Sequence, residues 1–193
     1  MITEIDKQAK KYNGLFTYSG LLKSYNKPTI RKLIEKGLIY RVARGVYYHK
    51  DYTVDMMQVH QTLNKTIIYS HETAAYLHGL TDRFPRKYAV SVKQGTNLRN
   101  RDDFNIFYLN KNTFNLGVTK VNNNLNNEVI AYDKERTVCD MIRSKDRVEL
   151  QVYTEVIQNY FSDKPNMNKL IEYAKLLNIE DKVYEISLLM MEG

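Results

Sequence analysis

Five cations crowd one short stretch of the chain: Arg31, Lys32 and Lys36 within a segment of helical apolar spacing, and Arg41 and Arg44 just beyond it. Guanidinium and ammonium groups at this density suit phosphate oxygens, and an Arg or Lys that reaches a base edge can read guanine in the major groove. No burial argument requires five cations around one helix and its neighbour. The wider charge pattern agrees. The 193-residue chain carries a formal charge of +7, and its first fifty residues hold eleven Lys and Arg against three acids, whereas the rest holds eighteen against nineteen. A basic module joined to a nearly neutral one is the result, and a polyanion is its natural partner.

Catalytic chemistry finds less support. His71-Glu72 resembles the start of a zinc-protease helix, but the second His required four residues on is replaced by Ala75, and His78 falls seven residues away. Capping or packing roles are therefore expected for both histidines. No phosphate-cradling glycine loop leads into Lys and Ser or Thr, and no Gly-x-Ser-x-Gly elbow is present. Asp102-Asp103 lacks a third acid at metal-binding spacing. Asp140 with Glu149 imitates a nuclease acid pair, but Gln151 stands where the accompanying lysine would be. Cys139 falls on an apolar helix face and reads as an inert core thiol. As the only cysteine, it excludes an internal disulfide and a cysteine-based zinc cluster. No cofactor and no metal is called for.

The cations need elements to carry them. Thr3 can cap a first helix over about Glu4–Tyr12, with Asp6 reciprocal and Ile2, Ile5 and Ala9 at helical spacing. Gly14 breaks it, and Thr17 caps a short helix ending near Ser24. Asn26-Lys27-Pro28 opens a third helix, which Gly37 closes; Ile30, Leu33 and Ile34 face inward, and Thr29, Arg31, Lys32, Glu35 and Lys36 face out. Leu38–Val42 and Val46–Tyr48 then form a hairpin turning at Gly45. Three short helices and a basic hairpin make a winged helix-turn-helix, with the third helix in the major groove and the hairpin reaching phosphates or the adjacent minor groove. The expected DNA-facing set is Lys27, Thr29, Arg31, Lys32, Lys36, Arg41, Arg44 and Tyr47.

Past Asp51 the texture changes. A linking helix is expected over Val54–Leu63 and a buried strand over Thr66–Tyr69. Ser70 should cap a helix stopped by Gly79. Strands follow over Tyr88–Val92, Asn105–Leu109, Val118–Val121 and Val129–Tyr132. Asp133 caps a helix through Ile142, and three helices close the chain, near Glu149–Tyr160, Met167–Leu177 and Asp181–Met190. The expected fold class is α+β, with domains over residues 1–50 (winged helix-turn-helix) and 51–193 (mixed α/β, ending in helices). No apolar run suits a membrane span, and Met1–Tyr12 does not read as a secretion signal, so a cytoplasmic protein without membrane partners is expected.

Three blocks in order, Arg41-Val42-Ala43-Arg44-Gly45-Val46-Tyr47-Tyr48, Ser70 through Leu80, and Tyr132 through Ile142, resemble the AbiE antitoxin family, AbiEi. The resemblance implies the antitoxin of a type IV toxin-antitoxin and abortive phage-infection system. Its winged helix would repress its own operon by binding inverted repeats in double-stranded promoter DNA. Its second domain would counteract a nucleotidyltransferase toxin without forming a stable complex, and the chain would not be an enzyme. Within the matched blocks, Gly45, Gly79, Ala74, Ala75 and Leu77 read as fold determinants, and Arg136 as a partner of Asp133 or Asp140. The alternative is a nucleic-acid-processing enzyme whose nuclease-like body, through Asp102, Asp140 or Glu149, acts on what the head binds. A winged helix used only for protein contacts is a third reading.

Overall fold

In the computed structural model, which describes residues 4–191, the chain opens with helix α1 (Glu4–Lys11), whose Ile5 and Ala9 are buried. The expected Thr3 cap and Ile2 lie outside the described residues. Strand β1 (Leu15–Thr17) follows, an element not expected because three residues are too few to show alternation. Gly14 admits it: at φ +79° it takes a conformation that favours glycine, and a Cβ there would overlap Tyr52 Cβ.

Helix α2 (Tyr18–Ser24) starts as the spacing requires, with Thr17 Oγ1 accepting the Gly20 N–H at 3.0 Å. Asn26 Oδ1 accepts the Thr29 N–H at 2.9 Å at the start of α3 (Lys27–Glu35). Gly37 at φ +67° ends that helix, donating to Ile34 O while Leu38 donates to Leu33 O. Strands β2 (Ile39–Ala43) and β3 (Val46–His49) form the hairpin, and all three strands pair antiparallel in the order β1-β3-β2. Helix–strand–helix–helix–strand–strand, with the first strand beside the last, is a winged helix. Ile5, Ala9, Phe16, Leu21, Ile30 and Ile39 make its core. One expected core residue is corrected: Ile34 is 39 % exposed, because Ile30 and half-buried Leu33 already fill the inner face of α3.

Helix α4 (Met56–Leu63), capped by Asp55, belongs to this compact unit, which spans Met1–Lys65 and so runs past Lys50, where the charge count divided the chain. Its Val59 packs with Val46 and Tyr48, and Tyr48 Oη accepts the Asp55 N–H at 3.1 Å. The unit holds twelve Lys and Arg against five acids; the second unit, Thr66–Gly193, holds seventeen of each.

The second unit contains β4 (Ile68–Tyr69), α5 (His71–Leu77), β5 (Tyr88–Lys93), β6 (Phe104–Leu109), α6 (Lys111–Phe114), β7 (Val118–Asn122) and β8 (Glu128–Tyr132). Helices α7 (Lys134–Arg143), α8 (Leu150–Ser162), α9 (Met167–Leu176) and α10 (Glu180–Met191) complete it. Its mixed sheet runs β6-β5-β4-β8-β7, with β5–β6 and β4–β8 parallel and the other pairs antiparallel. Val138, Met141, Val156, Ile157 and Leu170 lead the helical core. Asp133 caps α7 as expected, its Oδ1 accepting the Arg136 N–H at 2.9 Å. Ser70 is corrected: it precedes α5 in extended conformation but makes no side-chain cap, because its Oγ bonds His71 Nδ1 at 2.9 Å.

Candidate nucleic-acid interface

Two capping bonds and one buried isoleucine fix the outward face of α3. Lys27, Arg31, Lys32 and Lys36 are all exposed; Lys27 and Arg31 lie one turn apart, as do Lys32 and Lys36. Thr29 is placed differently from its neighbours. Half-buried, it donates its hydroxyl to Asn26 Oδ1 at 2.7 Å and so strengthens the cap. A groove beside the helix is lined by Tyr18, Lys27, Pro28, Arg31 and Ile34. Sequence reasoning missed Ile34 as a surface residue. Its signal was the redundancy of three apolar residues on so short a helix, and exposed next to Arg31 it offers the apolar contact that a thymine methyl takes.

In the wing, Ala43 pairs with Val46, which leaves Arg44 and Gly45 at the tip. Gly45 sits at φ +76°, and its carbonyl accepts the Tyr18 N–H at 2.8 Å, tying the tip to the start of α2. Arg44 is exposed, and no hydrogen bond or ion pair holds it among the described residues. Arg41 is exposed as well, with its Nε donating to Ala43 O at 3.3 Å across the register shift in β2. Tyr47 is half-buried, packs against the core of this unit and lies with its ring centroid 6.3 Å from that of Tyr18. The structure therefore brings Lys27, Arg31, Lys32, Lys36, Arg41 and Arg44 to the surface of one unit and draws Thr29 and Tyr47 into its framework. Such an arrangement can grip phosphates and present a helix to a groove.

The residues weighed for catalysis are placed otherwise. His71 is buried, stacked on Phe107 with 3.4 Å between ring centroids, and bonded through Nε2 to Ser144 Oγ at 3.2 Å. Burial, aided by Arg147, Arg143 and Arg136, holds its pKa well below the ordinary 6.5. His78 Nε2 donates to Tyr132 O at 2.7 Å, and burial lowers its pKa too. Asp140 is buried and receives Arg136 Nε at 3.0 Å; burial raises its carboxyl while the guanidinium pulls it back. The fully buried Arg136 also donates from Nη1 to Thr113 O and Leu116 O, and it stacks 4.3 Å from the Tyr132 centroid. Glu149 is exposed and pairs with Arg83 at 3.2 Å. Asp102 and Asp103 are exposed in a short turn. Cys139 is buried, with its thiol pushed up to about 12.

Among the described residues, one group gathers potential metal ligands, Asp6, His49 and Asp51. His49 Nε2 lies 3.0 Å from Asp6 Oδ1, whereas its Nδ1 lies 3.7 Å from Asp51 Oδ2. An ion can use only one ring nitrogen, so the carboxylates flank different edges of the imidazole. The geometry is that of a hydrogen-bonded histidine tying α1 to β3.

The first unit is thus a winged helix with exposed cations on its third helix and its wing. Residues 4–48 match the family described as transcriptional regulator, AbiEi antitoxin, which bears out the resemblance read from the residues and gives the chain a regulator and antitoxin role. The fold as a whole is similar to the crystal structure of the RV2827C protein from Mycobacterium tuberculosis, at a TM-score of 0.63 and 10 % identity over 95 % of this chain and 79 % of that one. At that identity the likeness is one of fold alone. No curated protein matches the chain. No helix among the described residues is long and apolar enough to cross a membrane.

Proposed function

We propose that this chain is a DNA-binding autorepressor and the antitoxin of a type IV toxin-antitoxin system of the abortive-infection, phage-defence kind, acting in the cytoplasm. It binds inverted repeats in its own promoter and counteracts a nucleotidyltransferase toxin without stable complex formation. The observation that carries this reading is a coincidence of three properties in one segment: the regulator-family match over residues 4–48, the winged-helix topology, and the whole of the chain's excess positive charge. Arg31 and Lys32 reach base edges, Lys27 and Lys36 flank them on phosphates, and Arg41 and Arg44 hold backbone or minor groove through the wing. Thr29 and Tyr47 act as supports, by the cap and by the aromatic packing described above.

The two activities separate by variant. A full chain with Arg31, Lys32 and Arg44 all changed to Ala should lose repression of a promoter reporter yet still protect cells in which the toxin is induced from another promoter. Loss of protection by that variant, with folding and expression shown, would mean that antitoxicity works through DNA or through the head.

A further inference from the structure

The second unit has equal numbers of acids and bases, yet several cations meet at one place on its surface. Two adjoining clefts, which share Lys87 and Asn105 in their linings, open at the starts of β5 and β6. Arg86, Lys87 and Arg101 are exposed there and enter no ion pair among the described residues. The neighbouring Arg83 and Arg147 are already engaged: Arg83 pairs with Glu149 and Glu155, and Arg147 donates to Ile106 O and lies over the Phe107 ring. Of the acids in these linings, Glu149 pairs with Arg83, Glu72 accepts the Glu149 N–H, and Asp102 shares its cleft with Lys87 and Arg101.

An aromatic ring completes the site. Phe84 is 55 % exposed, beside Arg83, Arg86 and Lys87 in sequence, and it is not a loose side chain. Its ring stands nearly perpendicular to Tyr76 on one contact, at 5.2 Å, and to Tyr88 on another, at 5.7 Å; Tyr76 is in turn held by Asn124. An anchored yet solvent-facing ring next to free cations is the pairing that holds unpaired bases, which stack on aromatic faces while their phosphates meet Lys and Arg. Stacked bases inside a duplex offer no such face.

We propose that this cleft of the second unit binds single-stranded nucleic acid, with Phe84 stacking on a base and Arg86, Lys87 and Arg101 receiving the phosphates. The site is separate from the duplex-DNA surface of the winged helix and goes beyond the function proposed above.

The test is fluorescence anisotropy on the full chain with a labelled single-stranded RNA of mixed sequence, about a dozen nucleotides long, the scale of such sites. Single-stranded DNA of the same sequence and duplex DNA from upstream of the gene are the comparison probes. Phe84→Ala should weaken both single strands about tenfold, with Phe84→Trp restoring them. Arg86→Glu with Lys87→Glu should weaken them further and make the salt slope shallower by about 1.4. Both variants should hold the upstream duplex as the parent does. The proposal is overturned if the single strands bind equally well to all variants, if duplex affinity falls in step with theirs, or if single-strand binding is lost through Arg31→Ala and Arg44→Ala instead.

Discussion

The two units treat charge in opposite ways. Every Lys and Arg of the winged helix is exposed, and the six residues at its centre are apolar. The second unit, although balanced overall, takes charge inside: Arg136 is fully buried against Asp140, the carbonyls of Thr113 and Leu116 and the ring of Tyr132. The first unit keeps its cations available to a ligand and orders itself with caps, a glycine and a hydrocarbon core. The second uses an ion pair as part of its framework, where removing one partner leaves a buried charge alone.

The largest expected effect follows from that contrast. Arg136→Met should destabilise the second unit by about 3–5 kcal/mol, because Asp140 loses its partner inside the core. Segment-resolved hydrogen exchange on the full chain would show α7 amides exchanging faster and α3 amides unchanged. Adding Asp140→Leu should recover part of the loss; no recovery would mean that the bonds to Thr113 and Leu116 matter more than the charge. In the first unit, Gly14→Ala should cost about 1–3 kcal/mol through the overlap with Tyr52, and the same experiment should report it in β1 and α1 and leave α7 alone.

Acid should also weaken the second unit. His71 and His78 have native pKa values below the ordinary 6.5, so the unfolded chain binds protons first as pH drops. The stability tied to neutral His71 is present above pH 6.5 and lost on acidification, at up to about 1.4 kcal/mol per pH unit. His71→Asn should flatten that slope between pH 6.5 and 5 in pH-dependent denaturation of the full chain. The smallest effect belongs to Asn26→Ala, which removes the cap of α3 and should cost about 1 kcal/mol with the rest of the chain undisturbed.

What the sequence made legible was what short-range chemistry decides. Thr17, Asn26, Gly37 and Asp133 announce helix ends because their partners lie within a few residues. The wing showed through Gly45 and its flanking alternation. Long-range chemistry stayed hidden. The pairing of β1 depends on Tyr48 and Val46, some thirty residues on, and Ser70 forgoes its cap for a histidine that stacks on distant Phe107. Arg136 could be assigned Asp140 from i,i+4 spacing, but nothing local revealed the carbonyls of Thr113 and Leu116. At the interface, the exposed cations were legible as a set, whereas the engagement of the Thr29 hydroxyl and the exposure of Ile34 needed the packing of the whole unit.

A salt titration of affinity tests the winged helix as the DNA-binding surface most directly. The parent chain, Arg31→Ala and Arg44→Ala would each be titrated against the gene's own upstream duplex and against random duplex. With about six phosphates neutralised, the parent's log affinity should fall against log salt with a slope near −5. Arg44→Ala should make the slope shallower by about 1 and weaken both duplexes alike, while Arg31→Ala should cost about 1–3 kcal/mol on the upstream duplex and much less on the random one. A salt-independent affinity, or two variants indistinguishable from the parent on both duplexes, would contradict it.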